Sequence, residues 1–279
     1  MRTVSTLKIR RAGYRALGVL CLALSLAGCS SMFGGRPGDN WMVPILNKVM
    51  PPSPGQVARN VFNPYDPDKR REAISLLSAA PFGGAEPYVK TYRLLVDDED
   101  ASVRAAAIKA LGLHGTPADV PYILRRADDS NSFVRWEVAL ALQKIHDASA
   151  VPVLIKMATD DEDADVRMAA ARALGQYPQR RVFSALVGCL DDPDFGVVTA
   201  AHRSLVTLTG YDFGVDASLW LVWSDKYPDD LFDHQEEYLW QPFIEPRTFL
   251  QKLAFWRKYV PPAPRPPAGL QVASTTPAP

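Results

Sequence analysis

The stretch DDEDADVRMAAARALG, Asp160 to Gly175, recurs in altered form on both sides of itself. Its Val166-Arg167 pair aligns with Val103-Arg104, which opens VRAAAIKALG, and with Val134-Arg135, which opens VRWEVALALQ. A copy at Val197, VVTAAHRSLV, has Val198 in place of the arginine, and a weaker copy starts at Lys69, KRREAISLLS. Successive copies start 34, 31, 32 and 31 residues apart. Small residues stand four positions after each start (Ala73, Ala107, Val138, Ala170, Ala201), and leucines stand eight after it (Leu77, Leu111, Leu142, Leu174, Leu205). Offsets of four and eight fall on one stripe of an α-helix.

A second apolar helix follows each of the first four copies, at Pro87–Val96, Pro121–Ala127, Pro152–Thr159 and Arg181–Leu190. Pro121 and Pro152 stand where a first helical turn tolerates proline. Gly112 and Gly175 come after the stripe and are read as left-handed helix ends. The turns into each new unit are acidic: Asp97-Asp98-Glu99-Asp100, Asp128-Asp129, Asp160-Asp161-Glu162-Asp163 and Asp191-Asp192. An aspartate ahead of a helix accepts hydrogen bonds from its free amides and suits the positive end of its dipole. A single helical hairpin cannot bury its own apolar face, so the hairpins are expected to stack around a continuous core.

The pattern D-x-x-V-R-x-x-A-x-x-A-L-G resembles HEAT repeats of the short type named after phycobilisome lyases, over Asp66 to about Gly210. The ankyrin TPLH turn and the tetratricopeptide tryptophan-to-tyrosine pattern are missing. The expected fold is therefore all-α, a solenoid of about five hairpins. The resemblance implies an interaction scaffold rather than a particular chemistry.

Around the array, residues 1–28 are expected to be a lipoprotein signal peptide. Arg2, Lys8, Arg10, Arg11 and Arg15 precede a 12-residue apolar run, Ala16–Ala27, too short for a stable bilayer span. Leu26-Ala27-Gly28-Cys29 resembles the bacterial lipobox, which implies cleavage before Cys29 and attachment of lipid to it. The expected location is the periplasmic side of a bacterial envelope. Ser30, which is not Asp, favours the outer membrane by analogy with enteric bacteria. Residues 29–39 read as the tether, 40–65 as an N-terminal cap, 211–260 as an aromatic-rich C-terminal cap, and 261–279 as a disordered Pro/Ala-rich tail.

Cleavage leaves 26 basic and 31 acidic residues, a net charge of about −5, which argues against nucleic acid as a partner. Cys189 is then the lone unmodified cysteine and reads as a small core hydrophobe.

No catalytic constellation stands out, and no cofactor or metal is expected. The array family includes a di-iron hydroxylase with His-Glu dipeptides, but none of His114, His146, His202 and His234 precedes Glu. Asp161, Asp163 and Asp165 share the 1-3-5 spacing of a calcium loop, which then fails at Val166 and Arg172. The second helices, by contrast, carry Lys90, Arg93, Arg125, Arg126, Lys156, Arg180 and Arg181, and no acid lies within Pro87–Val96, Pro121–Ala127, Pro152–Thr159 or Tyr177–Leu190. Resemblance implies that second helices line the concave face, so these residues are the expected surface for a protein partner. The alternative is an enzyme or ligand carrier that uses the aromatic C-terminal segment, with Trp220, Trp223 or Trp240 meeting Asp212 and Asp216.

Overall fold

The computed structural model describes residues 53–242 and 261–270. Cys29, the signal peptide, the tether, the apolar stretch Trp41–Met50, the aromatic residues from Phe243 to Tyr259 and the chain beyond 270 lie outside them.

The described residues form eleven α-helices and no strand. After α1 (Pro54–Val61) come five hairpins: α2 (Pro67–Ala79) with α3 (Glu86–Leu95), α4 (Ala101–His114) with α5 (Val120–Leu124), α6 (Ser132–Lys144) with α7 (Val151–Asp160), α8 (Ala164–Leu174) with α9 (Arg180–Gly188), and α10 (Phe195–Thr209) with α11 (Ala217–Lys226). The first helices pack in one row, α2 on α4, α4 on α6, α6 on α8 and α8 on α10, while α9 touches α7 and α11. The stripe residues of the last four copies, among them Val134, Val138 and Leu142, are fully buried in one continuous core. No helix among the described residues is long and apolar enough to cross a membrane.

Each first helix starts the same way. Asp66, Asp100, Asn131, Asp163 and Asp194 accept hydrogen bonds from backbone amides of the first turn, at 2.8–3.1 Å for the shortest in each case. Two positions earlier, Asp98, Asp129, Asp161 and Asp192 accept the amide of the capping residue itself at 2.8–3.0 Å. Each D-x-D/N pair thus folds the turn with its first side chain and caps the helix with its second.

The two glycines do something other than expected. Gly112 lies inside α4, where a Cβ would come within 2.9 Å of Ala141 on the neighbouring first helix. Gly175 ends α8 at φ −59, and a Cβ there would crowd Ser204 and Tyr238 at 2.9–3.1 Å. Close approach, rather than left-handed backbone, is the reason for glycine at both sites; the left-handed end is Gly210, at φ 73.

The expected structureless tail gives way to a docked segment at 261–270. The chain after α11 turns back along the ends of the first helices. Glu236 donates its amide to Thr207 at the end of α10, and the Tyr238 hydroxyl donates to the Arg172 carbonyl near the end of α8 while accepting from Gln143 of α6. Trp240 and Arg265 exchange backbone hydrogen bonds at 2.9 and 3.1 Å. Ala268 then bonds Lys144 and His146, and Gly269, at φ 89, packs on Pro117 just beyond α4. Proline-rich chain is intrinsically extended, so the composition that suggests disorder also suits a strap with a few fixed backbone contacts.

Candidate protein-binding surface

The acidic turns and the Val-Arg arginines join the hairpins to one another. Arg104 reaches Asp129 with two hydrogen bonds of 2.8 Å, Arg135 reaches Asp161 with two of 2.8 Å, and Arg167 reaches Asp192 at 2.7 and 3.0 Å. Arg70 makes the corresponding contact with Asp98 through one nitrogen at 2.8 Å. Each arginine also donates to a backbone carbonyl of the segment before its own helix, such as Asp98 for Arg104 and Asp129 for Arg135. Two parallel N–H donors on one carboxylate fix orientation as well as charge. The ladder ends at Val198, which stands where the arginine would be and has no group to donate. Asp161 is therefore committed to Arg135 and Asp163 to the α8 amides, so the calcium-like spacing serves the turn.

The second-helix cations stand in a partly neutralised setting. Arg93 bonds the buried Asp119 at 2.5 Å and Glu86, which begins α3, at 2.8 Å. Arg125 and Arg126 both pair with Asp97, and Lys156 pairs with Asp128 at 2.8 Å. The stretches named above hold no acid, but acids just outside them reach in: α3 opens on Glu86, α7 closes on Asp160, and the turns lend Asp97, Asp119 and Asp128. Lys90, Arg180 and Arg181 have no ion pair among the described residues, although Arg180 donates to the Pro228 carbonyl and Arg181 to the Gln179 side chain at 2.8 Å. A residue missed in the sequence lies among them. The Tyr122 ring is flanked by the guanidinium groups of Arg93 and Arg125, 5.8 and 5.1 Å from its centre. Its place after Pro121 in the first turn of a second helix was the available signal.

The aromatic end of the array packs on itself. Trp220 is fully buried, donates its indole N–H to the Gly214 carbonyl at 2.8 Å, and meets Phe213 edge-on at 5.0 Å between ring centres. Trp223 lies against Phe213, Tyr211 and Phe183. Trp240 belongs to the strap instead, with the Lys144 ammonium 5.6 Å from its ring centre. Asp212 contacts His202 at 2.7 Å and Asp216 caps α11. Both carboxyls are held below the ordinary value, at Asp212 chiefly by His202 and at Asp216 chiefly by the Ser218 hydroxyl. Trp240 thus serves the strap, while Trp220 and Trp223 pack on neighbouring rings and Trp220 meets the His202 that bonds Asp212. Cys189 is buried as expected; burial pushes its thiol up to about 11.

The model of HEAT repeats matches this chain three times in overlapping register, over 58–143, 92–175 and 131–206, more than half of its length. The chain belongs to the HEAT-repeat family. No curated protein sequence matches it. Among solved structures, Escherichia coli YibA is 18% identical with a TM-score of 0.51, covering 81% of each chain. An engineered protein is 20% identical, TM-score 0.44, over 61% of this chain and 84% of its own. A designed armadillo repeat protein is 17% identical, TM-score 0.45, over 64% and 95%. HEAT arrays are extended scaffolds whose stacked hairpins offer long surfaces for protein contact, and this array is one.

Proposed function

We propose that this HEAT array is a lipid-anchored scaffold on the periplasmic side of a bacterial envelope, holding an extended acidic segment of a protein partner along its second helices. The observation that carries the reading is the basic row from Lys90 through Tyr122 and Arg125 to Arg180 and Arg181, in a mature chain of net negative charge. Neutralisation by the turn acids leaves the ends of the row, Lys90 on α3 and Arg180–Arg181 on α9, as the attracting charges. Tyr122 between them offers an aromatic face of the kind that anchors interfaces. The complete Leu26-Ala27-Gly28-Cys29 sequence supports the anchor, with the outer membrane as the favoured side.

Reversing Arg126 would set a carboxylate against Asp97, so the test uses residues outside ion pairs. Crosslinking in intact envelopes is expected to capture a partner whose yield falls with Lys90→Glu plus Arg181→Glu, at unchanged thermal stability. Capture should also weaken with salt, since exposed charges are screened over about 10 Å at 0.1 M. Equal yield from the double reversal would discard the second-helix surface. For the anchor, Cys29→Ala should give an uncleaved or soluble product; a variant still matured and held through a carbonate wash would discard the lipid.

A further inference from the structure

The third hairpin carries a feature its neighbours lack. Phe133 at the start of α6 is half exposed, and its ring stacks on that of Trp136 at 5.6 Å between centres and 26° between planes. The matching positions elsewhere are Ser102 and Ala105 in α4, Asp165 and Met168 in α8, and Gly196 and Thr199 in α10. The aromatic pair is thus an addition to the repeat rather than part of its core stripe. It forms one wall of an open cleft of about 290 Å³, which Ser132, Asp163 and Asp165 complete.

The second wall is anionic. Asp163 is held below the ordinary carboxylate value, first by a hydrogen bond from the Ser132 side chain, and so keeps its charge at neutral pH. Asp165 is exposed and its carboxylate makes no hydrogen bond or ion pair among the described residues. No basic residue lines the cleft. A volume near the lower limit for ligand pockets suits one side chain better than a cofactor.

We propose that this cleft receives a lysine or arginine side chain from an extended protein segment, the aliphatic stem on Phe133 and the cationic head between the Trp136 face and Asp165. A cation over an indole face gains attraction that grows as water is excluded, and the aspartates supply the complementary charge. The site is separate from the second-helix surface in residues and opposite in sign, so it stands whether or not that surface binds.

The probe is an alternating lysine–alanine hexapeptide, titrated against the full chain and followed by NMR, with the ε-acetylated peptide as control. Saturable binding of the lysine form alone is expected, weakened about three- to tenfold by Phe133→Ala and by Asp165→Asn, in line with the strength of partly desolvated cation–π contacts. Lys90→Glu plus Arg181→Glu should leave it unchanged. Phe133 and Asp165 are exposed, so both variants are expected to fold, with circular dichroism as the check. Three results would overturn the site: equal affinity for wild type and Phe133→Ala, a loss from Asp165→Asn alone, which would mean simple charge attraction, or equal binding of the acetylated peptide.

Discussion

The Tyr238 hydroxyl donates to the backbone carbonyl of Arg172 at 2.7 Å across 66 positions of sequence. The same oxygen accepts from the Gln143 amide at 3.1 Å, so one buried side chain ties the strap to two first helices. Tyr238→Phe keeps the packing but removes both bonds; the Arg172 carbonyl still accepts the Gly175 amide, while Gln143 loses its acceptor. It should lower stability by about 1–2 kcal/mol, the net worth of one or two hydrogen bonds. Hydrogen exchange at the Glu236 and Ala268 amides should quicken with it. Unchanged exchange would show that the strap is held elsewhere.

Arg135 and Asp161 are each about 8% exposed and bonded through both ends of the guanidinium group. Arg135→Met strands the Asp161 charge and should cost about 3–5 kcal/mol. Arg126→Ala, from a pair that is 28% and 41% exposed, should cost under about 1 kcal/mol. Denaturant unfolding of the two variants gives the comparison; similar losses would refute a special role for the ladder.

Acid should dismantle this array through its turns. At Asp192 the hydrogen bond from Arg167 holds the carboxyl below its ordinary value. At Asp119 and Asp129 burial is the largest influence and opposes the charge, but hydrogen bonds from Arg93 and Arg104, with backbone amides, outweigh it. A depressed folded value means that the stabilisation is present above the ordinary aspartate value of 3.8 and is lost as pH falls through the lower folded values. Tm measured from pH 7 downward should therefore hold until near pH 4 and drop below it. A flat profile to pH 2 would contradict the ladder's contribution.

Leu142 is fully buried between hairpins on both sides, whereas Leu77 in the first copy is 9% exposed. Leu142→Ala should cost about 2–5 kcal/mol through the cavity it leaves. Leu77→Ala should cost less, and equal small losses would refute the repeat register.

The Val-Arg stripe and the Asp caps were legible because both act locally: a 3.6-residue period places Val166, Ala170 and Leu174 on one face, and an aspartate caps the helix it precedes. Gly112 and Gly175 were misread because their reason lies across the stack, in Ala141 and Tyr238. The pairing of Arg125 with Asp97 and of Lys156 with Asp128 was hidden for the same reason, since each partner sits about one repeat away. Composition at 261–270 marked an extended chain without saying that Ala268 would meet Lys144. Phe133 and Trp136 stood in plain view of the alignment as departures from Ser102 and Ala105, but only the fold places Asp165 opposite them.

A solenoid is a spring, and this one is clipped. Residues 236–240 fasten the ends of α10, α8 and α6, and residues 265–269, bonded to them at Trp240, fasten the end of α6 and the Pro117 turn. Changes of pitch in those coils must strain or release these bonds, none of which reaches α2 or α3 among the described residues. Compliance is thereby concentrated in the first hairpin, and a load on the chain would be taken up there before the pinned coils yield.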